Sequence, residues 1–255
     1  MIILISPAKT LDFKFVAKDF IRASGLIFPK ESDVLVKHLR KFSPKDLSEL
    51  MNINTNLAQL NADRFIDWKF PFDKSARPAL WAFRGEVFHG IEADLFTEQD
   101  YLFIKNHLRI LSGLYGYLQI DTLIFPYRLE MGTRLKIGTK NNLYAYWSEK
   151  ITRVLLEDLK IQDEKIILNL ASNEYFKVLN TKKLNYRIIS PEFKDFNQGE
   201  YKIVTIYAKK ARGRMVQFIT KNKITKAEDI LGFDYDGYFY NPNMSTQDKP
   251  VFTRG

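Results

Sequence analysis

Residues 107–136 read HLRILSGLYGYLQIDTLIFPYRLEMGTRLK. Two glycines, Gly113 and Gly116, lie three apart among apolar residues, with Arg109 before them and Arg128 and Arg134 after. Glycine permits positive φ and close approach of the backbone. The spacing predicts a short helix, a glycine hairpin over residues 111–118 and a second short helix. In such a helix-hairpin-helix the main-chain N–H groups aim at one phosphate without reading a base. Arg109, Ser112, Gly113, Tyr115 and Gly116 are then the candidate nucleic-acid contacts of this stretch. The same Gly-x-x-Gly also suits an ordinary turn inside a core, and both readings stay open here.

Moving outward, the 255-residue chain is 45% hydrophobic and 27% charged, which predicts a packed core rather than disorder. Its formal net charge of +9 favours anionic partners: nucleic acid, nucleotides or an anionic surface. With no cysteine the chain has no disulfide, thiol nucleophile or thiolate metal site. The three histidines, His38, His89 and His107, form no metal-ligand spacing, so neither a metal nor a cofactor is expected. The apolar run at residues 2–5 is too short for a signal peptide, and no apolar run reaches membrane-spanning length. A cytoplasmic location without membrane attachment is expected.

The order of elements sets the fold expectation. Ile2-Ile3-Leu4-Ile5 reads as a buried strand, ended by Ser6-Pro7-Ala8-Lys9-Thr10. Residues 31–67 carry helical periodicity, with Ser43-Pro44 as a helix start, and Thr97 caps a further helix. Residues 143–159 read as helix and 165–170 as strand. Residues 187–190 and 201–207 read as a strand hairpin, and a late strand is expected near residue 240. These elements predict a mixed α/β (α+β) fold: one domain over residues 1–255, with a central mixed sheet flanked by helices. The hairpin reading argues against a doubly wound parallel sheet.

Charge is concentrated in residues 201–226. This run contains Lys202, Lys209, Lys210, Arg212, Arg214, Lys221, Lys223 and Lys226 and no acid. If a strand passes directly into a helix there, Lys209, Lys210 and Arg212 crowd a helix N-terminus. Cations are unfavourable at that position unless an anion binds. A solvated basic face is the alternative. Polar residues also gather at element ends: Lys9, Thr10, Arg84, Glu86, Arg128, Glu130, Asn169, Ser172, Glu174 and Lys209. If they converge they form a cleft holding both cations and carboxylates. Glu130 or Glu174 can then act as a general base, and Lys9 as a phosphate clamp or amine nucleophile. Structural ion pairs are the competing reading.

Six stretches taken in order complete the picture. They are Ser6-Pro-Ala-Lys-Thr10, Gly85-Glu-Val-Phe-His-Gly90, Leu111-Ser-Gly-Leu-Tyr-Gly116, Pro126-Tyr-Arg-Leu-Glu-Met131, Asn169-Leu-Ala-Ser172 with Glu174-Tyr175, and Tyr207-Ala-Lys-Lys-Ala-Arg-Gly213. Jointly they resemble the YaaA family of bacterial peroxide-stress proteins, over nearly the whole chain. The resemblance implies a cytoplasmic protein that protects DNA during hydrogen peroxide stress and is linked to limiting free intracellular iron. It also implies binding of double-stranded or distorted DNA without sequence preference, through a helix-hairpin-helix and a basic cleft. The cleft candidates are Lys9, Arg128, Lys209, Lys210, Arg212 and Arg214. One departure stands out: after the hairpin this chain has Leu118-Gln119-Ile120-Asp121-Thr122 where relatives carry Leu-Arg-Pro-Leu-Asp. Two other readings remain: an enzyme acting on a nucleotide or nucleic-acid base in the same cleft, and a binder of a small phosphate compound.

Overall fold

The computed structural model describes residues 1–14 and 18–255. Its organising element is a five-stranded sheet in the spatial order Gly116–Gln119, Leu108–Ser112, Ile2–Ile5, Ile166–Asn169, Arg187–Ile189. The last four run parallel, and Gly116–Gln119 adds an antiparallel edge. Every residue of Ile2–Ile5 and of Leu108–Ser112 is buried. A parallel strand covered on both faces reads as an unbroken apolar run rather than an alternating one.

That burial corrects the reading of the opening stretch. Residues 108–119 form a β-hairpin, not a helix-hairpin-helix: Leu108–Ser112 pairs antiparallel with Gly116–Gln119, with Ser112 opposite Gly116. A short, mostly apolar segment such as Leu108-Arg-Ile-Leu-Ser112 carries no clear period to separate a buried strand from a buried helix. The glycines serve the hairpin itself. Gly116 adopts φ +73°, and a Cβ there would meet the Trp147 ring at 2.7 Å. A Cβ on Gly113 would lie 2.2 Å from the Leu129 carbonyl oxygen. Two packed helices joined by a tight turn occur elsewhere, as Pro44–Met51 and Thr55–Asp67. Asn52 there takes a left-handed conformation, and Ser43 and Asn54 cap the two helices. Each such cap contributes about 1 kcal/mol.

The expected strand hairpin near residue 200 is also redrawn. Arg187–Ile189 joins the main sheet in parallel with Ile166–Asn169. The Asn-Gln-Gly turn instead joins Glu192–Asn197 to Glu200–Lys202 in a second sheet, completed by Val251–Arg254 and Phe239–Tyr240. The main sheet is therefore more parallel than the sequence suggested. Helix begins at Thr205 and runs to Lys221, so Lys209, Lys210 and Arg212 lie beyond its first turn, not at a strand–helix junction.

The helices expected over residues 97–106 and 143–159 are present, as Glu98–His107 capped by Thr97 and Leu143–Lys160 capped by Asn142. Glu86–Ile91 crosses Thr205–Lys221 at glycine contact. A Cβ on Gly213 would fall 1.9 Å from the Val87 carbonyl oxygen, and one on Gly90 2.3 Å from that of Lys210. The two backbones meet only because neither position carries a side chain. Among the described residues no helix is long and apolar enough to cross a membrane.

Candidate functional site

Three of the parallel strands meet along the middle of the main sheet. From Ile2–Ile5 the next parallel strand in sequence, Leu108–Ser112, lies on one side, and the one after it, Ile166–Asn169, lies on the other. Connections that leave in opposite directions open a crevice beyond the carboxyl ends of the strands, where α/β folds hold ligands. Ser6 and Ser172 follow the two strands on either side of this switch. Ser172 N–H donates to Ser6 Oγ at 2.9 Å, and Ser6 Oγ donates to Ser172 Oγ at 3.2 Å.

A cavity of about 420 Å³ opens at this point. The turn after the first strand supplies Ser6, Lys9 and Thr10, and the short strand Phe83–Arg84 with the start of the next helix supplies Arg84 and Glu86. The segment packed on Gly113 supplies Arg128 and Glu130, and residues after Ile166–Asn169 supply Ser172 and Glu174. The long helix adds Lys209 and Arg212. Phe88, Tyr127 and Tyr175 complete the walls. Of the ten polar residues singled out at element ends, nine line the cavity. Asn169 does not; its side chain caps Ala171 N–H at 3.1 Å and donates to Ser190.

The charges of the cleft are unequally matched. Glu130 Oε1 accepts from Arg128 Nε at 3.0 Å and lies 3.5 Å from Lys9 Nζ. Glu130 Oε2 is buried and accepts no hydrogen bond among the described residues. Arg84 stands 3.6 Å from Asp12 and 3.8 Å from Asp94, too far for hydrogen bonds. Glu174 Oε1 accepts from Gly132 N–H at 3.0 Å. Lys209 and Arg212, three apart on one helix, pair with no acid among the described residues. Arg212 is mostly buried, and that burial holds its guanidinium below its ordinary pKa. No acceptor among the described residues takes a hydrogen bond from its five N–H donors. Tyr127 is pushed up by burial; its hydroxyl lies 2.6 Å from Ser112 Oγ and is held in the wall.

The other nucleic-acid candidates lie elsewhere. Arg109 is buried, with Nε 2.6 Å from Asp158 Oδ2 and Nη1 donating to the Lys105 and Leu108 carbonyls. Ser112, Gly113 and Tyr115 are wholly buried, and Gly116 is buried beside them. The hairpin's donors and acceptors are used internally: Tyr115 N–H donates to Ser112 Oγ, and Gly113 O accepts from Trp147 Nε1. Lys210 and Arg214 turn away from the cavity, toward Asp236 and toward Asp236 with Glu92 respectively. Asp121, one of the four residues in the departing stretch 119–122, is fully buried, 2.7 Å from Lys105 and accepting from Tyr101 at 2.8 Å. It is a core partner, and none of Gln119, Ile120, Asp121 and Thr122 lines the cavity. Ser6, Phe88, Tyr127 and Tyr175 were absent from the site read from sequence. The strand-end position of Ser6 was the available signal for it; the aromatic walls had none.

Fold and cleft define an α/β protein with a concave, cation-rich site at the carboxyl edge of a mostly parallel sheet. The chain belongs to the family described as peroxide stress protein YaaA, whose model matches residues 1–244. It is 46% identical over 255 residues to a UPF0246 protein of Saccharophagus degradans, covering 100% of this chain and 99% of the relative. A UPF0246 protein of Clostridium perfringens is 46% identical over 254 residues, covering 100% of both chains. One of Teredinibacter turnerae is 46% identical over 255 residues, covering 100% of this chain and 99% of the relative.

Proposed function

We propose that this peroxide-stress protein binds DNA at the cleft, gripping phosphates without sequence preference. The observation that carries the reading is the pair Lys209 and Arg212, whose charges no acid answers among the described residues, on the wall of a cavity that also holds Lys9, Arg84 and Arg128. A guanidinium presents a planar fork suited to phosphate oxygens. The net charge of +9 adds long-range attraction. Protection during peroxide stress is then exercised at DNA rather than at peroxide, in keeping with a chain that has no thiol.

The test is equilibrium binding of duplex DNA across a salt series. Affinity is expected to fall linearly with salt on logarithmic axes. Lys209→Ala is expected to weaken binding about tenfold on every sequence and to lower the salt slope by about one. Lys210→Ala, whose partner Asp236 lies outside the cavity lining, is expected to do far less. Lys209→Ala binding as well as the parent at moderate salt refutes the reading. A second reading, an enzyme acting on a nucleotide base, draws support from the contact of Lys9 with Glu130 and from the three carboxylates in the cleft.

A further inference from the structure

The cleft is not furnished as a phosphate track alone. A surface that only follows a phosphate backbone gains nothing from carboxylates, which repel the ligand. This cavity nevertheless contains Glu86, Glu130 and Glu174 beside its five cations. Glu174 is exposed and uses only Oε1, on Gly132 N–H; its second oxygen has no protein partner among the described residues. An open acceptor of this kind asks for a ligand that brings N–H or O–H donors as well as an anion. Size gives the second constraint. A cavity of about 420 Å³ lies in the range of small-molecule sites, roughly 300–1,000 Å³. A duplex, whose major groove alone is about 12 Å wide, meets only the rim of such a cavity. The walls give the third, since Phe88, Tyr127 and Tyr175 supply apolar, aromatic surface between the charged ends.

We propose that the cleft seats one unstacked nucleotide, its phosphate on Lys209 and Arg212 and a base or sugar donor on Glu174. The proposal rests on the reading of the same cleft as a nucleic-acid site and deepens it. The occupant's chemistry is shared by two sources, a free mononucleotide and a nucleotide turned out of a DNA helix. Base amino and imino groups and the sugar hydroxyl are the donors that a carboxylate accepts.

The experiment measures binding of deoxynucleoside monophosphates, inorganic phosphate, a duplex, and the same duplex with one bulged nucleotide to the full chain. The parent is compared with Glu174→Gln and Lys209→Ala. Glu174→Gln keeps a carbonyl oxygen for Gly132 N–H, so its melting temperature serves as the control for folding. A mononucleotide is expected to bind at least about tenfold more tightly than inorganic phosphate, the step that 1.4 kcal/mol represents. Glu174→Gln is expected to remove that advantage while leaving phosphate binding in place. Lys209→Ala is expected to weaken both. Tighter binding of the bulged duplex identifies the extrahelical nucleotide as the occupant. Mononucleotide binding without a bulge preference identifies the free nucleotide, and either result supports the seat. Phosphate binding as tightly as every mononucleotide overturns it, as does a Glu174→Gln protein that retains the full advantage. If the duplex still binds in a Lys209-dependent way under those outcomes, the DNA reading stands and only the nucleotide seat falls. Mononucleotide binding with no duplex binding gives the reverse.

Discussion

Two regions looked alike in sequence, and the fold treats them oppositely. The hairpin Leu108–Gln119 and the run Lys209–Arg214 each combine glycine with basic residues. In the hairpin, Arg109 is answered by Asp158 and two carbonyls, and the glycines are filled against Leu129 and Trp147. In the helix, Gly213 lets two backbones touch while Lys209 and Arg212 on the same element meet no acid among the described residues, at a cavity. The glycine has a packing role in both. What separates core from site is whether the neighbouring charge has found a partner inside the protein.

That comparison can be broken by mutation, and the largest effect belongs to the hairpin. Arg109→Ala is expected to destabilise the fold by about 3–5 kcal/mol, because it strands the part-buried Asp158 carboxylate. Denaturant titration measures this; a change below about 1 kcal/mol would mean that Arg109 is free after all. Gly113→Ala comes next, at about 1–3 kcal/mol, since its methyl meets the Leu129 carbonyl and the strand must shift. Phosphate binding per folded molecule is expected to survive in both variants, as measured by titrating the folded fraction.

Lys209→Ala inverts that pattern. Stability is expected to move by less than about 0.5 kcal/mol, as for an exposed position, while DNA affinity drops about tenfold. Loss of stability without loss of affinity would move Lys209 into the structural class.

The smallest effect is a pH dependence. Burial holds the His107 imidazole below its ordinary pKa, and its Nδ1 lies 2.9 Å from the Met1 carbonyl oxygen. The folded state therefore takes up the proton at lower pH than the unfolded chain. The stability contributed by neutral His107 is complete above about pH 6.5 and is lost as pH falls through the window below that value. Unfolding measured from about pH 7.5 to about pH 5 is expected to show stability falling toward the acid end. The decline is expected to shrink in His107→Gln; an unchanged slope would assign it to other groups.

Much of this was legible in the chain because it rests on local chemistry. Ser43-Pro44 and Thr97 cap helices through side chains a few residues away, and both capping boxes form. Ile2–Ile5 reads as a buried strand from four apolar residues alone. The cleft was partly legible for a related reason. Polar residues at the ends of strands have nowhere to go but the rim of the sheet, and nine of those picked out line one cavity.

The rest needed the third dimension. Residues 108–112, Leu-Arg-Ile-Leu-Ser, are too short to show a period, so only their pairing with Ile3 to Ile5 decides that they are strand. Whether Gly113 offers its backbone to a phosphate or to Leu129 depends on a segment sixteen residues away, and whether Arg109 is free depends on Asp158. The composition determined that the chain is basic and thiol-free, and that its charge seeks anions. The tertiary structure decided which cations are already spent on carboxylates and left Lys209 and Arg212 unpaired at the cleft among the described residues. Sequence records each charge, but the pairing of charges is a property of distances between elements, which only packing sets.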